Sequence, residues 1–134
     1  MSKCIKWEKK YSVGIKQIDD EHKKMVDLIN EACESAELME ADEATGRLLQ
    51  HMREYAETHF LTEESFMKKY NFIPTDNHLE KHRLFSDRVE DAIARGKHGT
   101  DPYKVFQFLR DWFYGHVMVD DKALGKFLRN KGVR

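Results

Sequence analysis

LLQHMREYAETHFLTEESF, residues 48–66, carries Leu48, Met52, Tyr55, His59, Glu63 and Phe66 at steps of three and four. That is the spacing of one face of an α-helix. Midway along, the face changes from apolar side chains to an imidazole and a carboxylate four residues apart. Side chains at that offset stand one above the other, so His59 and Glu63 form a ready pair of metal ligands on a helix that otherwise faces a core. The same periodicity extends the helix over 42–69, until Asn71 to Pro74 breaks it.

Three more helices are predicted around this one. The first spans 19–38, with Ile18, His22, Met25, Ile29, Ala32 and Cys33 inward and Asp19, Asp20 and Glu21 in an acidic opening turn. A third spans 75–95, opening at Thr75 or Asp76, turning His78, His82, Phe85, Val89 and Ile93 inward and stopping at Gly96. The fourth spans 101–129, with Asp101 as N-cap and Pro102 at the first helical position. Its inner face reads Val105, Phe108 or Leu109, Trp112, His116, Val119 or Asp120, Ala123 and Phe127. Short connections make successive helices antiparallel, so the expected fold is all-α, an up-down-up-down four-helix bundle. Residues 1–16 differ: Ile5, Trp7, Tyr11, Val13 and Ile15 alternate as in a strand, with no second strand to pair with. They are read as an extended arm packed over the bundle.

At 134 residues the chain is read as one domain, 1–134, with no attached signalling module. Lys+Arg number 23 against Asp+Glu 24, which provides no basic field for nucleic acid. The start of the chain lacks an apolar signal core and no run of eighteen apolar residues occurs, so no membrane insertion and a cytoplasmic location are expected. Cys4 and Cys33, with no CxxC, are expected as free thiols, Cys33 filling the core. The C-terminal charges are read as a frayed tail.

In an antiparallel bundle the start of the first helix, the end of the second, the start of the third and the later part of the fourth lie at one end. His22, His59 with Glu63, His78 with His82, and His116 with Asp120 or Asp121 therefore meet at one level. A single histidine on an apolar face is ordinarily a satisfied core residue. Five at one height with two carboxylates would be a costly polar cluster unless a cation held them. Seven donors exceed one tetrahedral zinc and are too rich in nitrogen for calcium or magnesium. Two first-row ions sharing the carboxylates fit, iron above all, with manganese, cobalt and zinc open. Di-iron oxidases of ferritin-like bundles use about four carboxylates and two histidines; a site dominated by neutral imidazoles favours ferrous iron and reversible binding. Spacing alone prefers Asp120 as the last ligand, because a five-residue offset swings about 140° round an α-helix. His51 and His98 are read as having no metal role. Glu64, Asp20 and Glu21 are read as solvated or helix-start charges, with support of an imidazole from behind as their other role.

Taken together, Trp7, Tyr11-Ser-Val-Gly-Ile15, Ile18-Asp-Asp-Glu-His22, His59-Phe-Leu-Thr-Glu63-Glu64, Met67, Tyr70, His78 and His82 with Phe85, and Trp112-Phe-Tyr-Gly-His116 with Asp121-Lys122 make the chain similar to the bacterial hemerythrins of the hemerythrin-like domain family. The resemblance implies a carboxylate- and oxo/hydroxo-bridged centre of two iron ions. One iron would be held by His78, His82 and His116, the other by His22 and His59 with one open position, and Glu63 and Asp121 would bridge. It also implies an oxygen pocket of Phe60, Trp112, Phe113 and Val117, in which Phe113 stands where relatives often carry a smaller aliphatic residue. The function implied is reversible dioxygen binding for transport, storage or delivery to an oxygen-using enzyme, without turnover. The alternatives are a redox enzyme acting on nitric oxide, peroxide or iron, or a sensor whose arm responds. Monomer and homo-oligomer are both open.

Overall fold

The computed structural model describes residues 4–38, 42–74, 76–96 and 100–134. Helices α1 (Lys16–Leu38), α2 (Asp42–Lys69), α3 (Asp76–Arg95), α4 (Pro102–Trp112) and α5 (Lys122–Asn130) account for most of them, with a π-helical segment, Phe113–Asp121, between the last two. The backbone stays right-handed helical at both junctions, so α4, the π segment and α5 form one continuous rod. α1 packs on α2 and α4, α2 on α3, and α3 on the π segment, which closes a four-rod, all-α bundle. Thr75 and His98 lie outside the described residues.

Local chemistry explains most boundaries. Asp101 accepts a hydrogen bond from the Tyr103 N–H at 2.9 Å and Pro102 occupies the first turn, where its missing donor costs nothing. Gly96 ends α3 with φ +83°, and Asn71 ends α2 with φ 59°. α1 begins three residues before the expected start. Asp19 lies in the opening turn as expected, and there accepts from the Val13 N–H at 2.8 Å and the Ser12 hydroxyl at 2.5 Å, which ties the arm to the helix.

The inward stripes expected for α1, α2 and α3 are buried, with Phe66 and Ile93 half-covered. The fourth rod needs correction. Beyond His116 the buried residues are Val117, Asp121, Leu124, Gly125 and Leu128, whereas Val119 is 58% exposed, Ala123 is exposed and Phe127 is half-buried. A π turn accommodates one extra residue, so every inward position after it moves on by one.

The arm covers the bundle as expected, with Tyr11, Val13 and Ile15 buried and a 3-10 turn at Lys9–Tyr11 interrupting the alternation. It presses on α5 at Gly125, where a Cβ would lie 2.5 Å from the Val13 carbonyl oxygen. The free thiols expected at Cys4 and Cys33 are also corrected: the two form a disulfide, their Cα atoms 5.9 Å apart. The arm runs back along α1, where the Ile5 N–H donates to Asn30 Oδ1 and the Asn30 amide donates to the Ile5 carbonyl, both at 2.8 Å. That clasp sets Cys4 beside Cys33.

Two apolar clusters make up the core. One contains Met25, Ile29, Met52, Phe60, Phe85, Leu109 and Phe113; the other contains Val13, Ile15, Ile18, Met67, Leu124 and Leu128. In α1, α2 and the fourth rod the expected ligands fall where one cluster gives way to the other, and in α3 they precede Phe85 and Val89 of the first. The polar layer therefore lies inside the core.

Candidate metal centre

All seven expected ligands are buried, none more than 3% exposed. α1 supplies His22, α2 supplies His59 and Glu63, α3 supplies His78 and His82, and the π segment supplies His116 and Asp121. They divide into two overlapping groups, Glu63, His78, His82, His116 and Asp121, and His22, His59, Glu63 and Asp121, in each of which the donor atoms lie within 4.8 Å of one another. The shared carboxylates are split between the groups. Glu63 Oε1 is 3.0 Å from His82 Nε2 and 3.4 Å from His78 Nε2, while its Oε2 is 3.0 Å from His59 Nε2 and 3.5 Å from His22 Nε2. Asp121 Oδ1 is 3.2 Å from both His78 Nε2 and His116 Nε2, and its Oδ2 is 3.0 Å from His22 Nε2.

The π segment resolves the choice between adjacent aspartates. With the wider turn, both Asp120 and Asp121 fall on the His116 side, at opposite nitrogens. Asp121 is at the centre, and Asp120 Oδ2 lies behind the ring, 2.9 Å from His116 Nδ1. Lys81 Nζ donates to Asp120 at 2.8 Å and holds it there.

Two further carboxylates act in the same way. Glu21 Oε1 is 2.7 Å from His59 Nδ1 and its Oε2 accepts from the Thr62 hydroxyl at 3.0 Å; Glu64 Oε2 is 3.0 Å from His82 Nδ1. An acceptor at Nδ1 keeps the proton on that nitrogen and leaves the Nε2 lone pair for a cation. Reading Glu21 and Glu64 chiefly as surface or helix-start charges understated them. Their contacts cross from one helix to another, so no local spacing signals them, whereas the four-residue step from His116 to Asp120 is visible. Asp20 is a surface charge, paired with Lys16 at 2.7 Å, and His51 pairs with Glu31 at 3.1 Å outside the cluster.

The donors fit a cation better than they fit one another. His59 Nε2, Glu63 Oε2 and Asp121 Oδ1 are buried without a hydrogen bond despite their short contacts, as expected of lone pairs converging on a shared point. Without a cation the layer balances its charge with protons. Burial disfavours charge on His59, yet Glu63 beside it and Glu21 behind it hold its pKa up to about 10. Burial likewise opposes charge on His78, but Asp121 and Glu63 hold it up to about 9, and the same two carboxylates raise His22. Burial and the neighbouring Glu63 work against the Asp121 anion, which His116 and His22 nonetheless hold down to about 2. Glu63 lies well below the usual carboxylate range, burial being outweighed by His59, His22 and His78. Cys4, Cys33 and Glu37 also bring metal-type donors together, but there the sulfurs are bonded to each other.

Apolar rings enclose the layer. Phe60 stacks on His82 with centroids 4.0 Å apart, and Trp112 lies 4.4 Å from His116. Phe113 and Val117 are fully buried in the same apolar cluster. On the other side Tyr55 stacks on His59 at 5.0 Å.

Known proteins are similar to this chain over most of its length. The hemerythrin HHE cation binding domain matches residues 13–128. A hemerythrin-like protein of Naegleria gruberi is 27% identical over 115 residues, covering 86% of this chain and 86% of its own length. A bacteriohemerythrin of Pseudomonas paraeruginosa is 28% identical over 116 residues, covering 86% and 75% respectively, and one of Clostridium acetobutylicum is 25% identical over 122 residues, covering 87% and 95%. Because that family model spans most of a chain whose buried layer gathers five histidines and two carboxylates, the chain belongs to the hemerythrin HHE cation-binding domain family, a non-haem iron-binding domain.

Proposed function

We propose that this protein binds dioxygen reversibly at a centre of two iron ions and serves oxygen transport, storage or delivery in the cytoplasm, without catalytic turnover. The observation that carries the reading is the split of Glu63 and Asp121, each of which turns one oxygen to the three-histidine group and the other to the two-histidine group. His78, His82 and His116 would hold one ion and His22 and His59 the other, which gives the second ion fewer protein donors and room for a small ligand. Bound there, ferrous iron supplies reversible two-electron chemistry toward dioxygen.

The chain's own residues supply the conditions. Five neutral imidazoles leave Glu63 and Asp121 as the only anions among the seven donors, and so small a negative charge shared by two ions suits the ferrous state. Glu21, Glu64 and Asp120 hold protons at the Nδ1 atoms of His59, His82 and His116. Phe60, Trp112, Phe113 and Val117 keep water and free protons from the pocket.

Iron analysis joined to the visible spectrum tests this. The expected result is two iron ions per wild-type chain, fewer in His59→Ala and Glu63→Ala, and a coloured aerobic form that degassing returns to the colourless one. Rapid irreversible bleaching would instead favour an oxidase, or a reductase of nitric oxide or peroxide. Full iron content in both variants would defeat the ligand assignment.

A further inference from the structure

A chain of contacts links the disulfide to the metal pocket. Cys4 is half-buried and Cys33 is 4% exposed, so the link is open to attack at the Cys4 sulfur. Beyond Cys4, the Ile5–Asn30 clasp seats the arm on α1 and Lys23 Nζ lies over the Trp7 ring at 5.5 Å. Trp7 meets the edge of Tyr11 at 5.7 Å, and Tyr11 meets Phe113 at 5.0 Å and Tyr114 at 6.5 Å. Phe113 opens the π segment that carries His116 and Asp121. Between Cys4 and Trp7 the arm has no helix or ladder of its own, so side-chain contacts, one two-bond clasp and the disulfide hold its outer part. Segments held so lightly open by local unfolding without disturbing the rest. Partly exposed disulfides exchange more readily than buried ones.

We propose that Cys4–Cys33 is a thiol–disulfide exchange site, at which a cellular dithiol releases the arm and loosens the Tyr11–Phe113 wall of the metal pocket. One thiolate of the dithiol attacks Cys4 Sγ; the S–S bond breaks and Cys33 leaves as a thiolate that takes up a proton. The second thiolate of the reductant then attacks its own sulfur in the mixed disulfide and expels Cys4, which is protonated in turn. Two electrons pass to the protein and the dithiol departs as a disulfide. Oxidation by the reverse exchange re-clamps the arm. The effect on the pocket rests on the iron-binding reading above, whereas the exchange and the release of the arm do not.

The test uses the full iron-loaded chain in three forms: oxidised with glutathione disulfide, reduced with dithiothreitol and desalted without oxygen, and the Cys4→Ser/Cys33→Ser double variant. Expected are no maleimide labelling of the oxidised form and two labels on the reduced form. Trypsin cleavage at the exposed Lys6, Lys9 and Lys10 should be roughly tenfold faster in the reduced and serine forms. Azide release from the ferric centre should also be faster in both. Two labels after oxidation would overturn the exchange site, and equal cleavage rates in oxidised and reduced wild type would overturn the release, whether or not the serine variant folds. Faster cleavage with unchanged azide release would overturn the link to the pocket. A chain without iron would fail the functional reading alone, since labelling and cleavage still report on the arm.

Discussion

Glu21 makes two contacts: one carboxylate oxygen faces His59 Nδ1 at 2.7 Å and the other accepts from Thr62 at 3.0 Å. The threonine fixes the carboxylate and the carboxylate fixes the tautomer of the ring, so His59 presents Nε2 to the centre without searching. Removing such an outer partner typically weakens metal binding by about 10- to 100-fold. Glu21→Ala should therefore lower iron affinity on that scale in competition with a chelator, while far-UV circular dichroism keeps its helical signature. Unchanged affinity would mean that burial alone orients His59. The Ala change bears on the two-histidine group, so loss of one iron before the other is its distinguishing mark. Glu64 on α2 does for His82 on α3 what Glu21 does for His59, but from an exposed position where water competes for it.

The π segment is the element on which the site turns. In an α-helix an aspartate five residues after His116 would face away, yet Asp121 is fully buried at the centre while Val119 lies in solvent. The sequence shows the ligands through their three- and four-residue steps, and it shows α1, α2 and α3 through their apolar stripes. It does not show the wider turn, because FYGHVMVDD is a plausible α-helical run in composition and its one trace is the five-residue gap itself. Nor does it show the disulfide, since partners 29 residues apart meet only after the arm has folded back on α1. Deleting Val119 would remove the extra residue, bring Asp121 to a four-residue offset and leave Leu124 and Leu128 on an α-helical face with Leu109 and Trp112. The variant should fold with unchanged helical content. Asp120 would then stand three residues from His116, too early to reach Nδ1 as it now does, and iron affinity should fall about 10- to 100-fold, the scale for a lost outer carboxylate. Wild-type affinity in a folded deletion variant would show that the wide turn is not needed by the site.

At the scale of the whole molecule, a polar layer divides the core between two apolar clusters, and its charge must be balanced by protons or by metal. In the metal-free protein His59 and His78 are raised from 6.5 to about 10 and about 9, so the folded form holds protons that the unfolded chain gives up. That contribution is complete below pH 6.5 and is lost as pH rises through 9 to 10. Glu63 and Asp121, both depressed, contribute in the other direction: their share is present above their ordinary values of 4.5 and 3.8 and is lost as acid protonates them in the fold, Asp121 at about 2. Metal-free protein should accordingly be most stable between about pH 4.5 and 6.5 and should melt at progressively lower temperature from pH 6.5 to 9. Iron reverses the trend on the alkaline side, because it replaces those protons and binding releases them, so its stabilisation grows with pH. A net charge of -1 leaves little overall repulsion to obscure the effect. Thermal melts of iron-loaded and chelator-stripped protein at pH 6, 7.5 and 9 should show a gap that widens at each step. A stripped protein whose melting temperature stays level or climbs over that range would mean that the buried imidazoles are not protonated there, and that something other than proton uptake balances Glu63 and Asp121 when iron is gone.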